Sequence, residues 1–194
     1  MAKKRAKSKK PVGKKKAPTK KVAKKIAKKK AKAAKVNYLP KGFHTVVPYM
    51  CVKDAAFALE FYKKAFGAKE ILRLTSPDGK IGHAEFTIGD SHLMIGDEAP
   101  QMGAVSAESM GGSPIKLNIS VKNVDAFFAK ALASGATLVR PVMDQFYGMR
   151  SGMVPDPFGY AWFIGTQTEI VTPAQLKKRW ARMVAEMKAP EAKA

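Results

Sequence analysis

The chain has 194 residues, a formal net charge of +21 and a single cysteine, Cys51. Eighteen of its 36 Lys and Arg fall in residues 1–36, which hold no Asp or Glu, so the other residues carry only about +3. The single cysteine excludes an internal disulfide and suits a reducing cytoplasm, and the sequence has no run of about 20 apolar residues that would span a membrane.

Residues 1–36 are rich in Lys and Ala, contain Pro11 and Pro18, and have no aromatic side chain. Such a segment buries too little apolar surface to offset the entropy of ordering, so the sequence predicts a disordered tail. The tail is similar to the Lys/Ala/Pro-rich tails of linker histones. We expect it to bind nucleic acid or another polyanion, which would associate a cytoplasmic protein with the nucleoid; a solubilising extension is the alternative. The residues expected to contact phosphates are Lys3, Lys4, Arg5, Lys14, Lys15, Lys16, Lys24, Lys25, Lys28, Lys29 and Lys30.

Two copies of one βαβββ pattern follow the tail, in a domain predicted to cover residues 37–168. The first module, at about 39–97, is predicted as a strand at 44–52, a helix at 54–66 and strands near 69–74, 81–88 and 91–95. The second, at about 115–168, is predicted as a strand at 116–121, a helix at 123–134 and strands near 137–139, 146–154 and 160–164. A C-terminal helix is predicted within 169–188, after a capping box formed by Thr172 and Gln175.

Matching residues bound the helices of the two modules. Asp54 and Asn123 can cap the first turns, because their side-chain oxygens accept from free backbone N–H groups. Gly67 and Gly135 suit the left-handed position that follows a helix. These shared signals predict an internal duplication.

The dipeptide Gly89-Asp90 predicts a two-residue hairpin that pairs Thr87 with His92. Alternation along the strands then separates two sets of side chains. One face is polar and carries His83, Glu85, Thr87, His92 and Met94. The other face is apolar and should pack on Leu59, Tyr62 and Phe66 of the first helix.

Four segments, at 47–70, 83–98, 119–141 and 146–164, together resemble the glyoxalase/bleomycin-resistance/extradiol-dioxygenase (vicinal oxygen chelate) superfamily, and most of all its PhnB-like branch. Asp156-Pro157-Phe158-Gly159, and Phe61-Tyr62 followed by Phe66-Gly67, are the most diagnostic motifs. The resemblance implies an α+β fold of two βαβββ modules whose sheets curl into a cup, often completed across a homodimer. Many members hold a divalent metal and catalyse isomerisation, epoxide opening or ring-cleaving oxygenation, whereas others bind a drug without chemistry.

The resemblance also indicates where a metal would be held. The corresponding positions in this sequence are Val47, Met94, Lys116 and Phe163. None of them is His or Glu, and the Lys116 ammonium would repel a cation. We therefore expect no metal cofactor.

The candidate catalytic residues are His83 and Glu85, as an acid/base pair. The alternatives are a simple hydrogen bond between them, or a His83–Glu85–His92 metal site, although the two histidines would lie roughly 13 Å apart along the strands. Cys51 is either a small buried side chain or a nucleophile, and Arg150 either holds an anionic ligand or forms a salt bridge to Asp156 or Asp144. The expected ligand-binding residues are Tyr49, Cys51, His92, Lys116, Asn118, Ser120, Tyr147 and Arg150.

Three functions remain open on the sequence. The first is a cytoplasmic, homodimeric protein that binds a small, polar or anionic organic ligand, as a sequestration protein or metal-independent enzyme. The second is a metal-dependent lyase or dioxygenase. The third is a nucleoid-associated protein that acts through its basic tail.

Overall fold

A computed structural model describes residues 36–188 of the chain. The chain divides at Pro40, and every helix and strand below lies in the compact unit that begins at Lys41. The predicted tail, with all eleven of the residues expected to contact phosphates, lies outside the described residues except for Val36. Of the described helices, none is long and apolar enough to cross a membrane.

The first module forms a four-stranded sheet with one helix. Its elements are β1 (Tyr49–Val52), α1 (Ala55–Phe66), β2 (Lys69–Thr75), β3 (Ile81–Ile88) and β4 (Ser91–Asp97). The strand order is β1-β4-β3-β2, in which β1 and β4 are parallel and the other pairs antiparallel. A short 3₁₀ helix, Pro100–Met102, begins the connection to the second module.

The second module repeats this arrangement. Its elements are β5 (Lys116–Ser120), α2 (Val124–Ala133), β6 (Arg140–Asp144), β7 (Met149–Pro155) and β8 (Ala161–Gln167), with strand order β5-β8-β7-β6. Helix α3 (Pro173–Lys188) follows. The predicted α+β fold of two βαβββ modules and a C-terminal helix is confirmed.

The capping signals act as predicted. Asp54 accepts from the Phe57 N–H at 2.9 Å and Asn123 accepts from the Ala126 N–H at 3.1 Å. Gly67 follows α1 with φ of 71°, a conformation that costs glycine little because it has no Cβ. Thr172 and Gln175 form the capping box of α3, with the Thr172 N–H donating to Gln175 Oε1 at 2.8 Å.

Several strand boundaries differ from the prediction, notably those of β1, β6 and β7. β1 starts at Tyr49 rather than at residue 44, because its only strand partner is β4 and Pro48 provides no N–H to extend the ladder. β6 lies at Arg140–Asp144 rather than at 137–139, and β7 starts at Met149 because residues 145–148 turn between the two strands.

Helices α1 and α2 each cover one side of the sheet in their own module and pack on each other, so the two modules share one core. We call the covered side of each sheet the helix face and the opposite side the open face. The Tyr62 and Phe86 rings stack with centroids 5.6 Å apart, and Trp162 lies 4.8 Å from Phe66. The apolar face of the β3–β4 hairpin thus meets α1, as predicted, and each large side chain buried there stabilises the fold by about 1.5–3 kcal/mol.

Candidate ligand-binding site

The open face of the first sheet carries the polar set predicted from the hairpin. β3 and β4 pair Thr87 with His92 and Glu85 with Met94, in the register that the sequence predicts. β2 adds two leucines to this face, since Leu72 pairs with Glu85 and Leu74 with His83. Leu72 is 40% exposed and Leu74 is 54% exposed, so this face is largely uncovered in the single chain.

Glu85 lies between two imidazoles on this face. His83 Nε2 is 3.3 Å from Glu85 Oε1, and His92 Nε2 is 3.2 Å from Glu85 Oε2. Phe43 covers His92, with ring centroids 3.9 Å apart, so His92 is only 5% exposed while His83 stays accessible. The two imidazoles therefore converge on one carboxylate. The expected separation of roughly 13 Å along the strands applies to the backbone positions. The two side chains reach towards each other across that distance.

The four positions at which the family resemblance would place a metal, Val47, Met94, Lys116 and Phe163, do not suit one. Met94 and Phe163 offer no oxygen or nitrogen ligand, and the Lys116 ammonium lies 5.8 Å from the Phe163 ring centre. Within residues 36–188, no three His, Cys, Asp or Glu side chains are grouped closely enough to hold a metal ion. The described residues therefore do not fit the divalent metal of this fold.

Cys51 and Tyr49 lie on the same face of β1. Burial, followed by the nearby Glu98 and Asp97 carboxylates, raises the pKa of the Cys51 thiol, which disfavours the nucleophilic thiolate. The Cys51 backbone is held by Tyr160, whose hydroxyl accepts from the Cys51 N–H at 2.9 Å and donates to the Cys51 carbonyl at 3.1 Å. The strand position of Cys51 is thus fixed from the second module.

The open face of the second sheet is cationic and aromatic. β5 contributes Lys116, Asn118 and Ser120, and β8 contributes Phe163 opposite Asn118. Beside Phe163 is a hollow of about 70 Å³. The residues that line it include Asn118, Ser120, Tyr147 and Ser151. The Tyr147 and Ser151 hydroxyl oxygens are 3.2 Å apart, so each can orient the other.

Arg150 is not on this face. β7 alternates, so Ser151 points to the open face while Arg150 points to the helix face. Arg150 donates there to Asp125 of α2 at 2.7 and 3.0 Å, with Asp144 at 3.5 Å. The salt-bridge alternative is therefore the one that the geometry supports. Asp125, which the sequence did not single out, is the main partner.

A larger cavity of about 670 Å³ lies between the β3–β4 hairpin, the loop before β1 and strand β5. It brings together three residues predicted to bind ligand: His92 from the first module, and Asn118 and Ser120 from the second. Phe66, Phe127 and Trp162 line its apolar part. Its volume is within the range usual for small-molecule sites.

Known proteins share this architecture. The family model described as "Glyoxalase/Bleomycin resistance protein/Dioxygenase superfamily" matches residues 42–164. An uncharacterized protein of Mycobacterium tuberculosis is 44% identical over 121 residues, which are 61% of this chain and 71% of that protein.

Two solved structures give the same result. A gene product of Arabidopsis thaliana is 28% identical with a TM-score of 0.51, over 63% of this chain and 98% of its own. A PhnB protein from Bacillus cereus, described as a putative 3-demethylubiquinone-9 3-methyltransferase, is 18% identical with a TM-score of 0.52, over 63% of this chain and 99% of its own, and shows the fold alone. The chain thus belongs to the glyoxalase/bleomycin resistance protein/dioxygenase superfamily.

Proposed function

We propose that this protein binds a small organic ligand without a divalent metal, as a sequestration protein or a metal-independent enzyme of the PhnB-like kind. The observation that carries the proposal is the cavity of about 670 Å³, in which His92, Asn118 and Ser120 meet an apolar lining. Apolar walls with a few convergent polar groups are the usual composition of a site that binds and orients a small molecule.

Native mass spectrometry of freshly purified full-length protein tests this proposal. We expect an organic adduct that is lost on denaturation and that is weakened by Asn118→Leu, since leucine removes the polar group at similar size. The matched control is Asn37→Leu, which makes the same change outside the cavity. Protein that carries no adduct and binds no member of a chemically broad fragment set would contradict the proposal.

Exposed apolar side chains support a homodimer. Tyr49, Leu72 and Leu74 are exposed on the open face of the first sheet, and Trp180 is 53% exposed on α3. Apolar groups of this size are commonly covered by a partner. We propose a cytoplasmic homodimer in which a second copy covers these residues. Sedimentation at low concentration should show a dimer that Leu74→Asp dissociates, and a monomer at all concentrations would exclude it.

Acid/base catalysis is a second candidate for the first sheet. The Glu85 carboxylate can fix both imidazoles by accepting one N–H from each, which leaves the other nitrogen of the accessible His83 to take a proton from a ligand. If the ligand recovered from the protein is turned over, His83→Ala should abolish turnover while retaining binding. Unchanged turnover in that variant would exclude this role.

The basic segment 1–36 supports a separate proposal. Eighteen positive charges without an acid should bind duplex DNA through released counter-ions, with little sequence preference because lysine reads no base pattern. Anisotropy titrations should show affinity falling roughly 10³-fold between 50 and 200 mM salt if six or more phosphates are contacted. A chain that starts at Val36 should lose most of this affinity. Equal affinity would place DNA binding in the folded domain, and no binding by either protein would exclude this role.

A further inference from the structure

We propose that Lys116, Arg140 and Phe163 form a binding site for an organic anion on the open face of the second sheet. The proposal rests on the small-molecule function above and names the chemical class of the ligand. Its starting observation is that both cations lie over one ring: the Lys116 ammonium is 5.8 Å and the Arg140 guanidinium 5.7 Å from the Phe163 centroid.

Arg140 differs from every other described arginine. Arg73, Arg150, Arg179 and Arg182 each have a carboxylate within salt-bridge distance. In residues 36–188, no such partner and no side-chain hydrogen bond is found for Arg140 or for Lys116.

The register explains why the two charges are unpaired. Arg140 pairs with Met153 of β7, and Met153 pairs with Phe163 of β8. Phe163 in turn pairs with Asn118 of β5, which lies two residues from Lys116 on the same face. These open-face positions hold apolar or neutral polar side chains, whereas Asp144, the acid of β6, pairs with Arg150 on the helix face. The open face therefore keeps two positive charges without a negative one, which attracts an anion from solution.

The surroundings specify the rest of the ligand. A guanidinium binds a carboxylate or phosphonate through two parallel N–H groups, and an ammonium adds a third donor. Phe163 offers its ring to a flat apolar body, and the adjacent hollow of about 70 Å³, with Asn118 and the Tyr147–Ser151 hydroxyl pair, holds one small polar substituent. The site thus suits a planar organic acid with a hydroxyl or carbonyl group.

Nuclear magnetic resonance titration of the full-length protein tests this site with defined probes. Benzoate and phenylphosphonate carry the anion on a flat body and separate the carboxylate from the phosphonate, and benzamide is the neutral match to benzoate. We expect benzoate to shift the amides of Asn118, Ser151 and Phe163 and to bind about tenfold or more tightly than benzamide. Raising the salt concentration should weaken the binding of benzoate and leave the binding of benzamide unchanged.

Variants then assign the effect to the named residues. Lys116→Gln with Arg140→Gln should weaken benzoate by about tenfold or more, and Phe163→Leu by about threefold, since leucine keeps the apolar volume but not the ring face. Lys130→Gln removes one charge from α2 of the same module and is the matched control. It should change benzoate affinity less than about twofold.

Each contrary result has a distinct meaning. Equal binding of benzoate and benzamide, unaffected by the double variant, would overturn the anion site but leave the small-molecule function standing. Shifts confined to the cavity around His92 and Trp162 would likewise overturn the anion site alone. The absence of any amide shift in residues 36–188 would count against the anion site and the small-molecule function. If the double variant instead dissociates the protein and benzoate does not bind, the two cations belong to a subunit interface and the anion site is overturned.

Discussion

The two faces of the sheets differ in how their polar groups are satisfied. On the helix face, the Asp156 carboxylate accepts four hydrogen bonds, and no buried side-chain nitrogen or oxygen in the described part of the chain lacks a partner. On the open face, Glu85 is joined to His83 and His92 in the first sheet, but Lys116 and Arg140 of the second sheet have no described carboxylate within salt-bridge distance. Tyr49 and Leu74 are half exposed there. The helix face therefore maintains the fold, whereas the open face exposes the side chains that we propose bind a ligand.

Asp156 shows why the Asp156-Pro157-Phe158-Gly159 motif belongs to the helix face. Its Oδ2 accepts from the Tyr62 hydroxyl at 2.7 Å and from Trp162 Nε1 at 2.8 Å, and its Oδ1 accepts from the Phe158 and Tyr160 N–H groups at 2.9 Å. Burial raises the pKa of the Asp156 carboxyl, and these hydrogen bonds partly offset the rise. The motif therefore joins α1 of the first module to β8 of the second.

The largest expected effect is the loss of this carboxylate. Asp156→Ala should lower the free energy of unfolding by about 3–5 kcal/mol, because it leaves the buried Tyr62 and Trp162 donors without an acceptor. Asp156→Asn keeps one acceptor and should cost less. Asp144→Ala, at a carboxylate that is 79% exposed, should stay within about 0.5 kcal/mol. Urea unfolding measures all three, and equal effects at Asp156 and Asp144 would refute the claim that the buried, fully hydrogen-bonded carboxylate is the one that maintains the fold.

Removing one hydroxyl group from a tyrosine on each face compares the two faces with the smallest possible change. Tyr62→Phe removes a buried hydroxyl that donates to Asp156 and should cost about 1–2 kcal/mol. Tyr49→Phe removes a hydroxyl that donates to the Gly82 carbonyl at 3.2 Å from a residue 53% exposed, and should cost less than about 0.5 kcal/mol. Thermal unfolding of the two variants measures which hydroxyl contributes more to stability. A larger loss for Tyr49→Phe would contradict the account.

The smallest expected effect depends on pH. The Arg73 guanidinium, with Lys63, lowers the pKa of Glu70 from 4.5 to about 2. Because the folded-state pKa is lowered, the resulting stability is present above about pH 4.5 and is lost as the pH falls towards 2. Solvent screening limits the gain to about 1 kcal/mol.

Glu70→Gln should therefore be less stable than the natural chain at about pH 6 and should approach it near pH 2. Unfolding measured at both pH values checks this. Glu186→Gln, in a pair with the 83% exposed Arg182, is the control and should show no such trend. A stability difference between Glu70→Gln and the natural chain that does not narrow as the pH falls would exclude the ion pair as its cause.

Local chemistry explains what could be predicted from the sequence. Caps, the Gly89-Asp90 hairpin and strand alternation depend on neighbouring residues, so α1, α2 and the β3–β4 register are confirmed. The Gly-rich stretch around Arg150 conceals which residues alternate, so the sequence leaves open whether Arg150 holds a ligand or forms a salt bridge. Its face became clear only from the pairing of β7 with β8.

Lys116 was among the predicted ligand-binding residues, but Arg140, the second cation, could not be predicted for a similar reason. β6 is an edge strand whose register shifts between Arg140 and Met143, across Pro141. A shift of one residue moves a side chain to the opposite face, and nothing in the local sequence fixes that shift. The packing of Phe43 on His92 likewise joins residues that are distant in sequence.

At the four positions where the family resemblance would place a metal, this chain carries one cation, Lys116, and three apolar side chains, Val47, Met94 and Phe163. Elemental analysis of full-length protein purified without chelator measures whether they hold an ion. We expect far less than one Ni, Zn, Fe or Mn per chain, and no change when Lys116→Gln removes the repelling charge. One tightly held ion per chain would contradict this expectation, and loss of that ion in a His83→Ala variant would assign the metal to His83, Glu85 and His92.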